Sequence, residues 1–104
     1  MAWIYLFFAG LLEIAWATGM KQSAGFTRLW PSIFTLVTMT GSFLLLAAAM
    51  RSLPLGTAYA VWTGIGTLGA FVLGIVLMGE PVTALRLGAA GLILSGIVLM
   101  KMAT

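Results

Sequence analysis

Glu13 makes the strongest demand on its surroundings of any residue in this chain. It stands in GLLEIAWATGMK, residues 10–21, inside a stretch otherwise suited to hydrocarbon. A carboxylate at such a place costs several kcal/mol unless it has a partner or a function. Residues three, four and seven positions apart share a helix face, and from Glu13 that spacing selects Leu6, Ala9, Gly10, Trp16, Ala17 and Met20. The small residues leave space beside the acid, and one indole lies a turn away. Thr35, Thr38, Met39 and Ser42 share a second face, polar but uncharged, and Tyr59, Trp62, Thr63 and Gly66 share a third. Together these faces can line a cavity holding one acid, two indoles, a phenol and several hydroxyls. The carboxylate supplies countercharge, aromatic faces attract cations, and hydroxyls orient the acid or accept hydrogen bonds. All five basic residues, Lys21, Arg28, Arg51, Arg86 and Lys101, fall at the ends of apolar runs. The expected partner of Glu13 is therefore a proton or a cation arriving from outside.

The composition fixes the solvent. Of 104 residues 62% are hydrophobic and 7% charged, with a mean hydropathy of +1.18. A soluble domain carries about a quarter charged residues, so this chain cannot cover a water-facing surface and reads as a membrane protein. It has no cysteine and no histidine, which removes disulfides, thiol chemistry, Cys/His metal sites and a Ser-His-Asp triad together. No metal, cofactor or enzymatic chemistry is expected. The net charge of +3 is scattered rather than gathered in a patch, which argues against nucleic-acid binding and for anchoring at membrane interfaces. The opening MAWIYLFF has no basic region and no small-residue cleavage site after it, unlike a removable signal peptide.

A bilayer core needs about 20 mostly apolar helical residues. Four stretches approach or meet that length, at about 3–20, 31–50, 57–78 and 84–100. The breaks carry turn punctuation: SAGFTR before Pro31, which suits a first helical position, then RSLPLG, then GEP. No linker is long enough for a soluble domain, so the expected architecture is a single all-α domain, residues 1–104, of four transmembrane helices. The runs are continuously apolar and lack the alternation of a membrane β-barrel. Arg86 is placed to snorkel to the headgroups, Trp3 and Trp30 suit the interface belt, and Glu80 reads as a solvated loop charge. With an even number of spans, Arg51 and Lys101 lie on one side, and Lys21, Arg28 and Arg86 on the other. Two against three is almost no bias, and orientation follows bias, so insertion in both directions is expected. Four helices are few for enclosing a polar pathway, which points to an oligomer, with two oppositely inserted copies as one form.

The fourth span differs from the rest. Ala84, Gly88, Gly91 and Ser95 are spaced by four, three and four, and Ala89 and Gly96 by seven. Small residues on one face let backbones approach, so this helix reads as the assembly surface. The run GIGTLG, residues 64–69, matches a dinucleotide fingerprint, but that fingerprint works only between a strand and a helix. Within an apolar span it is read as close packing, with Gly66, Ala70 and Gly74 spaced by four, and as a flexible point.

With these residues assembled, the chain resembles the small multidrug resistance family of bacterial inner-membrane transporters. The resemblance runs from MAWIYLFFAGLLEIAWATGMK through GFTRLWPS and LPLGTAYAVWTGIGTLGA to the last helix. EIAWATGMK, with Trp16 one turn after Glu13, is similar to the guanidinium-exporter branch of that family. The resemblance implies an antiparallel homodimer in which two copies of Glu13 share a central site, exchanging protons for a cation by alternating access. It implies that Trp16 and Ser42 hold the carboxylate, that Tyr59 and Trp62 complete the site, and that Gly64 and Gly66 form a bend in the third helix. Gly88, Ala89, Gly91, Ser95 and Gly96 are the expected dimer-packing residues; position 89 is alanine where relatives often have glycine.

Low dielectric disfavours the ionised carboxylate, so Glu13 can hold a proton or a cation, each excluding the other. Competition for one group, presented to each side in turn, couples two fluxes. Guanidinium is planar and makes paired hydrogen bonds with a carboxylate. Quaternary ammonium ions, which depend on charge and aromatic contact, are the alternative substrate class, and a passive cation or proton channel is a rival of another kind.

Overall fold

The computed structural model describes residues 1–103. Four helices follow one another: α1 (Ala2–Gln22), α2 (Leu29–Ala49), α3 (Leu55–Met78) and α4 (Ala84–Ala103). All four are long and apolar enough to cross a membrane. Their lengths of 20 to 24 residues correspond to roughly 30–36 Å at the helical rise of about 1.5 Å per residue.

The turns show why the helices stop where they do. Between α1 and α2, the buried Ser23 hydroxyl donates to the Met20 carbonyl at 2.7 Å and accepts from the Phe26 N–H at 3.0 Å. The Ser23 carbonyl takes the N–H groups of Thr27 and Arg28. This knot holds Ala24, Gly25 and Phe26 at φ of 51°, 76° and 66°, a left-handed run that α-helix cannot continue. α3 ends at Gly79, whose φ of 67° is open to glycine at no steric cost. α4 begins at a capping hydroxyl, Thr83 Oγ1, which accepts from the Arg86 N–H at 3.1 Å. Pro31 is not the first residue of α2 as its sequence setting suggests. The helix starts at Leu29, with Arg28 as its N-cap, so Pro31 is third. A proline fits there equally well, because none of the first four helical N–H groups has an intrahelical partner.

α1 packs against both α2 and α3, while α4 packs along α3 and reaches α1 through Lys101 on the Trp3 ring. Close approach is achieved at glycines: a Cβ added at Gly10 would strike Ile65, at Gly69 it would strike Ile14, and at Gly64 it would meet Ile97 at 2.7 Å. The buried core is a thin seam of Leu6, Ala9, Leu46, Ala49, Ala58, Val61 and Trp62. The Cα trace spans 40 × 35 × 16 Å, and a single helix with side chains is about 10–12 Å across. Helix Cα atoms lie on a cylinder of radius about 2.3 Å and packed helices sit about 8–10 Å apart, so the chain is a slab about two helices deep in its thin direction.

Glu80 is an exposed charge in the α3–α4 loop, as its sequence setting suggests, and it has a partner there. Its carboxylate pairs with Arg86 at 3.1 Å, and Arg86 also donates to the Pro81 carbonyl and lies 5.1 Å from the Phe71 ring centroid. Both partners remain partly exposed, so the pair contributes about 0–1 kcal/mol; its effect is to pin the short α3–α4 turn.

Candidate cation-binding site

Glu13 lies at the middle of α1, on the side that meets α3. Its carboxylate occupies the space that a Cβ on Gly66 would fill; glycine at 66 is what lets the acid lie against the α3 backbone. Glu13 is half-buried, and among the described residues it makes no hydrogen bond and no ion pair.

Ser42 ties the three helices of the site together. Its hydroxyl is fully buried, donates to the Ala9 carbonyl of α1 at 2.7 Å and accepts from the Trp62 indole N–H of α3 at 3.0 Å. In this protomer the hydroxyl is therefore engaged with Ala9 and Trp62 rather than with Glu13. Among the described residues, Trp16 Nε1 is buried without a hydrogen-bond partner, as is Thr63 Oγ1. Thr35 and Thr38 turn inward along their own helix, donating to Pro31 and Phe34 carbonyls.

The aromatic side chains form a connected series. Trp16 packs edge-on to Phe43 at 6.3 Å between centroids, Phe43 edge-on to Trp62 at 5.8 Å, and Trp62 against Tyr59 at 5.6 Å. Phe43 was not among the residues expected at the site from sequence. It sits one position beyond Ser42, off the face defined by Thr35, Thr38 and Ser42, yet it is four residues after Met39, the spacing that could have brought it in. Phe43 and Tyr59 are 47% and 54% exposed while Trp62 between them is buried, so the series reaches the outside of the slab on both sides of Trp62.

Four grooves between helices lie elsewhere, and Glu13 lines none of them. The acid and Trp16 are half-buried, Trp62 is buried and the phenol is exposed.

Gly64 and Gly66, the expected bend, lie within an unbroken α3. Gly64 seats Ile97 of α4 and Gly66 seats Glu13. On α4, the residues turned toward α3 are Arg86, Ala90, Ile93, Ile97 and Met100, each partly buried. Gly88, Gly91 and Ser95 fall on the opposite, exposed face, and a Cβ at Gly88 or Gly91 would meet nothing. Ala89 and Gly96 stand apart from that stripe, lining grooves between α4 and α3.

The chain is similar to known proteins along its length. The family model described as Small Multidrug Resistance protein matches residues 1–94. The guanidinium exporter of Yersinia pestis is 61% identical over 104 residues, covering all of both chains. The guanidinium exporters of Salmonella typhimurium and Escherichia coli (strain K12) are 55% identical, covering all of this chain and 99% of theirs. Four apolar helices, an acid in the middle of the first and an identity of this size over full length leave one assignment: the chain is a multi-pass membrane protein that belongs to the small multidrug resistance family of transporters.

Proposed function

We propose that the chain exports guanidinium or small guanidinyl cations across the bacterial inner membrane in exchange for protons, acting as an antiparallel homodimer. The observation that carries this reading is Glu13: a carboxylate in mid-span, lying against bare backbone at Gly66, with no partner among the described residues. A cation can neutralise it, and so can a proton, and the two exclude each other. The names of the relatives supply the cation.

Each part of the mechanism has a residue to perform it. Glu13 binds proton or substrate. Trp62, fixed by Ser42, presents an aromatic face, and Tyr59 and Trp16 complete the wall. The unpaired Trp16 N–H and Thr63 hydroxyl are available to the carboxylate or to a guanidinium donor once a second copy closes the slab. In the dimer, the stripe of Gly88, Gly91 and Ser95 would pack against the other copy, with Ala89 and Gly96 beside it. Bending of α3 at Gly64 and Gly66 would let the two copies differ and open the shared site to one side at a time. A shared acid that must always be occupied couples the fluxes; a channel has no such requirement.

The series Trp16–Phe43–Trp62–Tyr59 would also suit a quaternary ammonium ion, which needs aromatic contact and cannot donate from nitrogen. A transport screen on reconstituted protein separates the two. Guanidinium is expected to drive proton counterflow at concentrations where tetraalkylammonium ions do not. Exchange of tetraalkylammonium but not guanidinium would assign the other substrate class.

A further inference from the structure

Lys101 stands at the end of α4, with its ammonium 5.0 Å from the centroid of the Trp3 ring of α1. Beneath it a groove of about 280 Å3 runs between α1, α3 and α4, walled by Leu6, Phe7, Ile65 and Ile97. We propose that this groove holds an acyl chain of an anionic phospholipid whose phosphate sits on the Lys101 ammonium.

The wall is wholly apolar below the lysine, and its setting is a membrane, where the abundant molecule with an apolar chain and a charged head is a lipid. Charge selects which lipid. Lys101 and Arg51 lie at the same end of the helices, and among the described residues no carboxylate lies there: Glu13 is in mid-span and Glu80 pairs with Arg86 at the opposite end. The indole face attracts the ammonium through its quadrupole but takes none of its three N–H donors in a conventional hydrogen bond, so those donors remain for a phosphate. Trp3 is in the first turn of α1, and the end of a membrane-length helix is where tryptophan meets headgroups. Basic pockets between transmembrane helices are recognised sites for anionic headgroups.

The groove also answers a packing question. α4 packs along α3 and reaches α1 through Lys101 and Trp3, and the groove is the gap between α4 and α1 below that contact. A lipid chain there would fill the gap. On α3 the groove is lined by Val61 and Ile65, which turn away from Tyr59, so a bound lipid would leave the cation site clear.

The test is native mass spectrometry of the purified full-length protein released from micelles containing equal amounts of phosphatidylglycerol and phosphatidylcholine. Wild-type protein is expected to retain phosphatidylglycerol over phosphatidylcholine by about fivefold, the ratio given by ~1 kcal/mol for one basic residue at a membrane surface. Lys101→Gln should bring the ratio to about one, while Lys101→Arg and Arg51→Gln should leave it near the wild-type value. No preference in wild type, a preference that survives Lys101→Gln, or an equal loss in Arg51→Gln would overturn the proposal. The same spectra report mass: a dimer lost in Lys101→Gln with the lipid ratio unchanged would assign the groove to a second copy of the chain, and also overturn it.

Discussion

Ser42 is the residue on which the shape of the site turns. Its hydroxyl satisfies the Trp62 N–H and is itself satisfied by the Ala9 carbonyl, so one side chain holds α2 to α1 and α3. Ser42→Ala would leave a buried indole donor without an acceptor, at a cost of roughly 1–3 kcal/mol. The expected outcome is a loss of about tenfold in apparent guanidinium affinity, read as KM in a liposome transport assay; an unchanged KM would mean that Trp62 does not need its anchor. The residue types were legible in the sequence: one acid among apolar residues stands out, and helical spacing puts Trp16 on its face, Ser42 on a second face and Tyr59 and Trp62 on a third. The bonds were not legible. Nothing in the sequence says that Ser42 would meet Ala9 O, or that Phe43 would link Trp16 to Trp62, because both depend on how α1 and α2 cross.

Among the elements, α3 carries two kinds of glycine contact in three residues: Gly64 receives Ile97 of α4, and Gly66 receives Glu13 of α1. Gly64 therefore has a packing role as well as its proposed role as a bend, and the two can be separated. Gly64→Ala should destabilise the protein by about 1–3 kcal/mol through overpacking, and adding Ile97→Ala should restore much of the loss by removing the atoms that clash. Thermal unfolding in detergent measures both. If transport returns with stability in the double variant, Gly64 acts through packing; if stability returns and transport does not, the bend is needed. The existence of four helices was readable from hydropathy alone, but their ends were not. Pro31 suggested a start two residues late because proline is tolerated throughout the first turn, and the Thr83 cap precedes a span whose apolar run gives no hint of it. On α4, Gly88, Gly91 and Ser95, read as part of an assembly surface, are exposed on the face away from α3, and Ala89 and Gly96, also exposed, line grooves beside α3.

As a whole molecule, the chain is flat, 16 Å in its shortest Cα dimension, with a half-buried acid in mid-span, and the proposed function requires a second copy. The charge balance favours inserting that copy upside down. Reporter fusions at the C-terminus should signal from both sides of the membrane, and moving one or two of Lys21, Arg28 and Arg86 to the other side should drive the signal to one side. A signal confined to one side in the natural sequence would exclude dual insertion. The central claim is that one carboxylate is shared between substrate and proton, and proton release answers it most directly. Addition of guanidinium to weakly buffered, purified protein should release protons from wild type and none from Glu13→Gln, although that variant should insert and assemble. Proton release of wild-type size from Glu13→Gln would contradict the account.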